Sequence, residues 1–593
     1  MEMKRLFTRV SLVLAVGTTL SGSVLLFAAD GPEGSSKPAD RSTPSATKAD
    51  TQETTASPDI AKLKKQVADQ QEQIEQLLRS VQQLKVKIDE AGRAAAPQPA
   101  AESDANKVAS LTPVLPKTSS GGGQPALSAS LGAPVVPAVA PNPQEKPAEE
   151  ASPLQLRVGA ATITPVGFMD FTSVWRSRDG GSGIGTNFAG IPYSPTSYNT
   201  NLGEFRLSMQ NSRVGFRVDA DVKGAHVIGY MESDFLGNNP GNVAVSSNSN
   251  TMRSRLYWVD LRKNSWEVLG GQTWSLVTPG RTGISPLPGD LFYTQNIDVN
   301  YQLGLFWGRI PEFRVVYHHP SGKAHFAFAI DNPEQYVGGS AGGGAITFPT
   351  APAGLAGALP SELNIGSNTL GVPNVAPDIV AKLALDPSKK FHFEIGGVER
   401  NFKTWAPANG TTPATTFSAA GGGGFLNVNF ELFKGFRVLT NNFLSDGGGR
   451  YIFGQAPDLI VKADGSISLI HADSTVTGIE YTNKNTLVYT YYGGLYIGRN
   501  SAIDSAGKLV GYGYSGSSSG HNKSVQEATF GLAQTFWKNP KYGSLILMGQ
   551  YSYVARNPWA VASGSPNDAH LNMVFLNLRY ALPGSAPTMG PKK

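Results

Sequence analysis

Three arginines, Arg206, Arg213 and Arg217, stand in the stretch GEFRLSMQNSRVGFRVDAD (203–221), where polar and apolar residues alternate. Period-two alternation marks a strand whose two faces meet different surroundings. Further on, RSRLYWV sets Arg253, Arg255 and Tyr257 at alternate positions, hence on one face of a second strand. Guanidinium groups in a row attract and steer anions. They need water or carboxylates around them, because a charge turned to hydrocarbon at mid-bilayer costs about 2–4 kcal/mol. Asp219, Asp221, Glu232 and Asp234, on the intervening segments, are the counter-charges that would neutralise part of the row.

The segment SLVTPGRTGISPLPGDLFYTQNIDVN (275–300) carries Arg281, Asp290 and Asp298. Folded against a basic wall, it would make a constriction with a transverse field, which filters ions by sign. Left outside, it is an ordinary loop. Enzyme signatures are poor by comparison. GSSSG (516–520) fits G-x-S-x-G in letters only, because it lies in a Ser/Gly stretch and not between a strand and a helix. His318 and His319 adjoin a turn and lack metal-ligand spacing. No catalytic residue, metal or other cofactor is expected.

The elements that must hold these arginines follow from the rest of the 593 residues. Lys4, Arg5 and Arg9 precede an apolar run to Leu26, the plan of a secretory signal over residues 1–29, with an uncleaved anchor as the alternative. Residues 30–58 have the composition of a disordered segment. From 59 to 91, Ile60, Val67, Ile74, Val81 and Ile88 repeat at one heptad position, and Leu63, Gln70, Leu77 and Leu84 at the other. That seam predicts an α-helical coiled coil and a homo-oligomer; β-branched residues at a with Leu at d lean to two strands, and Gln70 weakens the choice. Residues 92–153 read as a Pro/Ala/Gly-rich linker.

Cysteine is absent, which excludes disulfides and thiolate metal sites. From Leu154 onward there are 34 Lys+Arg against 28 Asp+Glu, and before it 16 against 17. So mild a surplus, with no dense basic run, argues against nucleic acid as a partner.

Beyond Leu154 short turn-like segments recur at 222–225, 262–265, 320–323, 386–390, 432–435, 482–485 and 538–543. Long Gly/Asn/Ser-rich stretches alternate with them at 177–202, 237–250, 277–300, 332–376, 404–422, 445–474, 498–522 and 557–568. Strict succession of short and long connections predicts a 16-stranded antiparallel transmembrane β-barrel over 154–584, with a C-terminal tail at 585–593. One face of each strand would meet outer-membrane lipid: Phe391, Phe393 and Ile395 oppose His392 and Glu394, for example. In the opening stretch the alternation changes phase at Asn211–Ser212; a β-bulge within one long strand keeps the later loops on the right side.

The segments RLSMQNSRVGFRV (206–218), YMESDFLG (230–237), SRLYWVDL (254–261), GGQTWSLVTP (270–279) and LRYALPG (578–584) together resemble DcaP-like porins. The resemblance is clearest over 166–280. It implies a trimer with the coiled coil in the periplasm and a path preferring small anionic or dicarboxylate solutes. It also implies that Arg206, Arg213, Arg217, Arg253 and Arg255 are the basic positions of that path. Gln272 and Trp274 would mark the strand leading into the constriction loop. The tail SAPTMGPKK departs from the pattern, since it runs past the last strand. A competing expectation is an envelope tether or adhesin, with the barrel as membrane anchor and the long external loops as binding surface; the coil would fix stoichiometry or reach toward the cell wall.

Overall fold

The computed structural model describes residues 154–180, 183–237, 248–287, 293–294, 302–339, 343–350, 359, 361–366, 372–452 and 455–583. The signal, the disordered segment, the coiled-coil seam, the linker and the C-terminal tail lie outside the described residues, as do Asp290 and Asp298.

The main sheet contains 18 strand segments. One of them, Leu156–Val158, only caps the start of the wall, and two others form a single long strand, so sixteen strands make the wall. The first eight are β1 (Ala161–Arg176), β2 (Glu204–Ser208 continued by Arg213–Val222), β3 (Ala225–Asp234), β4 (Arg253–Lys263), β5 (Trp266–Trp274), β6 (Arg309–His318), β7 (Ala324–Asp331) and β8 (Asp378–Ser388). Next come β9 (Phe391–Ala406), β10 (Thr415–Phe433), β11 (Phe436–Asp446), β12 (His471–Asn483) and β13 (Thr486–Ile497). The last three are β14 (Asn522–Asn539), β15 (Gly543–Pro558) and β16 (Ala569–Ala581). Each strand pairs antiparallel with the next, and β16 returns to β1 from Phe168↔Ala581 to Arg176↔Met573, closing the ring. A closed sheet has no edge with unpaired backbone groups.

All seven short turns fall between paired strands where their composition places them. Lys223 and Gly224, at φ 50° and 76°, link Val222 to its partner Ala225, and positive φ at both positions matches the twist of the flanking strands. One long connection is shorter than expected. Residues 404–422 were expected as a loop, whereas β9 and β10 pair as far as Ala406↔Thr415, leaving only eight residues between them. The run Gly421–Gly424 is therefore strand, and its glycines make room for rings: a Cβ on Gly423 would meet Phe443, and one on Gly421 would meet Leu469 and Phe402.

The outer wall is apolar. Phe205, Leu207, Phe216, Val259, Phe313, Phe328, Ile395, Leu532 and Leu578 are all exposed there. Trp266, Tyr481, Trp537 and Tyr542 gather near the short turns, and Trp175, Trp405 and Tyr496 near the other ends. An apolar band between two aromatic girdles is the surface of a barrel that crosses a bilayer.

The interior is polar on the strands and apolar where long loops fold inward. Phe306 stacks against Phe443 at 5.1 Å, in a cluster with Tyr451, Ile460 and Tyr512. Charged groups pin this cap: Arg400 bonds Asp378 at 3.0 Å and Asp458 at 2.7 Å, and the Tyr451 hydroxyl donates to Asp378 at 3.0 Å.

Candidate pore and constriction

The arginine row is set by a bulge in β2. The pairs Phe168↔Arg213 and Thr172↔Ser208 bracket four steps on β1 and five on β2, so one extra residue is inserted. Arg206 lies opposite Val174, which is buried, and after the bulge Arg213 and Arg217 are buried while Val214 and Phe216 are exposed. Both halves of the strand thus turn their arginines to the lumen. A second bulge sits in β4, where Glu232↔Leu256 is followed by Ser233↔Ser254 and Arg255 is the extra residue. Arg253 and Arg255 both face inward as a result.

That bulge corrects the expectation for Tyr257. It lies opposite Met231 on the outer face, 48 % exposed, so its side chain does not line the lumen. Gln272 pairs with Tyr257 and Pro311 and shares their outward side, where its Nε2 donates to the Arg255 carbonyl at 2.7 Å. Trp274 ends β5 at the entrance of the loop, edge-on to Trp307 at 5.0 Å.

Each arginine of this row meets a carboxylate. Arg206 bonds Glu204 at 2.6 Å, and Arg217 grips Asp219 with two bonds of 2.7 Å. Arg253 reaches Asp234 at 2.8 Å, and Arg255 spans Glu232 at 2.7 Å and Asp234 at 2.9 Å. Arg213 lies 3.6 Å from Glu232 and stacks over Phe168 at 5.1 Å. Arg579, on β16, covers the same ring at 4.2 Å and bonds Asp170 at 2.6 Å. Sequence reading did not single out Arg579; its alternation within LNLRY was the available signal. Asp221 leaves the row and bonds His226 at 2.8 Å.

Charges on this wall therefore nearly balance, but they do not lie at one depth. Arg206 keeps 43 % of its side chain exposed and Glu204 only 8 %; Arg253 keeps 13 % and Asp234 none. At these two positions the long guanidinium arm is the more exposed partner; the order is reversed at Arg217, 9 % against 24 % for Asp219, and at Arg213 and Arg255, 2 % and none against 11 % for Glu232.

The segment after β5 does fold into the barrel, where it is tied to the opposite wall at many points. Lys382 Nζ donates to Thr278 O at 2.7 Å, Gly280 N to Glu394 at 3.1 Å, Asn427 Nδ2 to Gly280 O at 2.9 Å and Gly283 N to Asp386 at 2.8 Å. Arg281 binds Glu480 at 2.6 and 3.0 Å and stacks on Tyr293 at 4.5 Å. Burial alone would lower the Arg281 pKa, but Glu480, Tyr293 and Tyr491 outweigh it and raise it above the ordinary arginine value. Beyond that, Tyr293 N donates to the Tyr491 hydroxyl at 3.0 Å, and Leu303 N to Glu527 at 2.9 Å. At Gly493 a side chain would collide with Leu303 O, so the loop backbone lies directly on the wall there. These anchors come from β8, β9, β10, β12, β13 and β14. The described parts of the loop thus lie against that side, across from the arginine wall of β1–β4 and β16.

Glu394, Asn427, Glu480 and Glu527 were not assigned a role from sequence. Their inward position was legible in strand alternation; their partner, a loop distant in sequence, was not. Aromatics in the lumen are mostly covered: Tyr230 stacks on Trp258 at 5.2 Å and Tyr489 on Tyr491 at 5.0 Å, all four buried. Tyr492 faces outward.

No protein-family model and no curated protein matches the sequence. Among solved structures, the outer membrane channel DcaP of Acinetobacter baumannii is 16 % identical, with a TM-score of 0.50, over 72 % of this chain and 99 % of that one. An anion-selective porin from Comamonas acidovorans is 12 % identical, TM-score 0.39, over 71 % and 99 %. The outer-membrane-expressed OmpT of Vibrio cholerae is 10 % identical, TM-score 0.39, over 72 % and 99 %. The described barrel resembles DcaP and shares the fold of that channel along nearly the whole of its length.

Proposed function

We propose that this protein is an outer-membrane diffusion porin that passes small hydrophilic solutes and prefers anions such as dicarboxylates. It assembles as a trimer, with residues 59–91 forming a coiled coil in the periplasm and the linker 92–153 joining it to the barrel. One observation carries the selectivity: at Arg206 and Arg253, on the wall across from the inward loop, the arginine side chain is more exposed than the carboxylate that holds it. A solute entering the lumen meets guanidinium donors shaped for two-point contact with carboxylate, and the low-dielectric barrel concentrates their field. The buried state of the lumen aromatics counts against a sugar channel, which needs exposed rings along the path.

Liposome swelling tests the reading. Vesicles containing the full chain should swell faster in succinate than in a neutral sugar or a diamine of similar size. Equal rates for anion and diamine would remove the preference, and no swelling at all would remove the porin.

A further inference from the structure

A third bulge lies at the outer end of β14, far from the arginine wall. Asn522 pairs with Pro558 and Ser524 with Asn557, so Lys523 is an extra residue. Asn522 turns inward, where it accepts from Arg556 at 2.6 Å, and Ser524 pairs with outward-facing Tyr496. Lys523 is left exposed on the rim. Its Nζ lies 5.4 Å from the centre of the Trp559 ring, and the guanidinium of Arg499, just past β13, lies 4.7 Å from the same ring. The indole is fixed by its Nε1 bond to Ile497 O at 3.0 Å and by edge contact with Tyr496 at 6.2 Å.

We propose that Arg499, Lys523 and Trp559 form a binding site for the phosphate of an anionic glycolipid headgroup in the outer leaflet. Among the described residues neither cation has an ion-pair partner. Asp473 on β12, the strand next to β13, and Asp446 on β11 both bond His471 at 3.0 Å. Stacking on an indole holds a cation in place without neutralising it, which suits a phosphate acceptor. Position selects a lipid over a soluble anion: the cluster adjoins the outward aromatic girdle and not the lumen. Directly below it on the outer face, Tyr492 donates to Gln526 at 2.9 Å, a polar pair at the level of ester and amide linkages. Phe530 and Leu532 follow on the same strand, exposed, as a bed for acyl chains.

The inference rests on the barrel spanning a membrane, and its test separates the two. Full-length protein in nanodiscs is titrated with diphosphorylated lipid A and with its dephosphorylated form. The phosphorylated lipid should bind at least about tenfold tighter, as expected when a charge-assisted contact is gained. The double variant Arg499→Ala/Lys523→Ala should lose that margin while keeping the parent single-channel conductance, because neither residue faces the pore. Arg499→Lys, which retains the charge, should keep most of it. Unchanged binding in the double variant overturns the site, as does competition by millimolar inorganic phosphate, which would make it a soluble-anion site.

Discussion

Arg206 and Arg253 are the pore-wall arginines whose side chains stand furthest into the water relative to their carboxylates. A unit charge about 4 Å away in a water-like medium is worth about 1 kcal/mol, roughly a fivefold change in ion preference. Arg206→Ala and Arg253→Ala should each lower the anion-to-cation permeability ratio by up to that factor, read from reversal potentials. Tyr257→Phe, on the outer face, should leave the ratio unchanged. That contrast also shows how far single residues were legible in the sequence. Arginines cannot face lipid, so their inward direction followed from cost alone. Tyr257 carries no such penalty at a membrane surface, and one unseen bulge was enough to reverse its side.

At the scale of elements, the inward loop is held by polar anchors, among them the charged pair Arg281–Glu480. Removing one partner of a buried pair costs about 3–5 kcal/mol. Arg281→Ala should therefore free the loop, seen as larger conductance and more open-channel noise at unchanged barrel stability to heat. A second element-scale device is His521, between β13 and β14. Gly513 N–H donates to its Nδ1 at 3.1 Å, so the proton is on Nε2, which donates to Ala345 O at 2.8 Å. Burial lowers its pKa below the ordinary histidine value. A group buried neutral stabilises fully above its unfolded pKa of about 6.5, and that contribution fades as pH falls below it, because only the unfolded form then gains the proton. The protection factor of the Gly513 amide, which corrects for the intrinsic slowing of exchange in acid, should fall below about pH 6.5, and His521→Gln should flatten the dependence. Strand alternation and turn chemistry made these elements legible in outline, including the bulge near Asn211. The run Gly421–Gly424 misled because four glycines in sequence look like a loop until the rings of Phe402 and Phe443 are known to need their space.

For the whole molecule, alternation of short and long connections was enough to fix sixteen strands, since only a closed barrel across a bilayer has reason to gather every long loop at one end. The path of the loop inside the lumen was not legible, because it depends on contacts more than a hundred residues apart. The coil and the barrel have separable roles in the proposed architecture. Deleting residues 30–150 should leave unit conductance intact and lower the yield of cross-linked trimer. The most direct test of the central claim is single-channel recording of the full chain in a planar bilayer under a salt gradient. Stepwise conductance with a reversal potential on the anion-selective side is expected. A silent bilayer, or a reversal potential on the cation side, would contradict it.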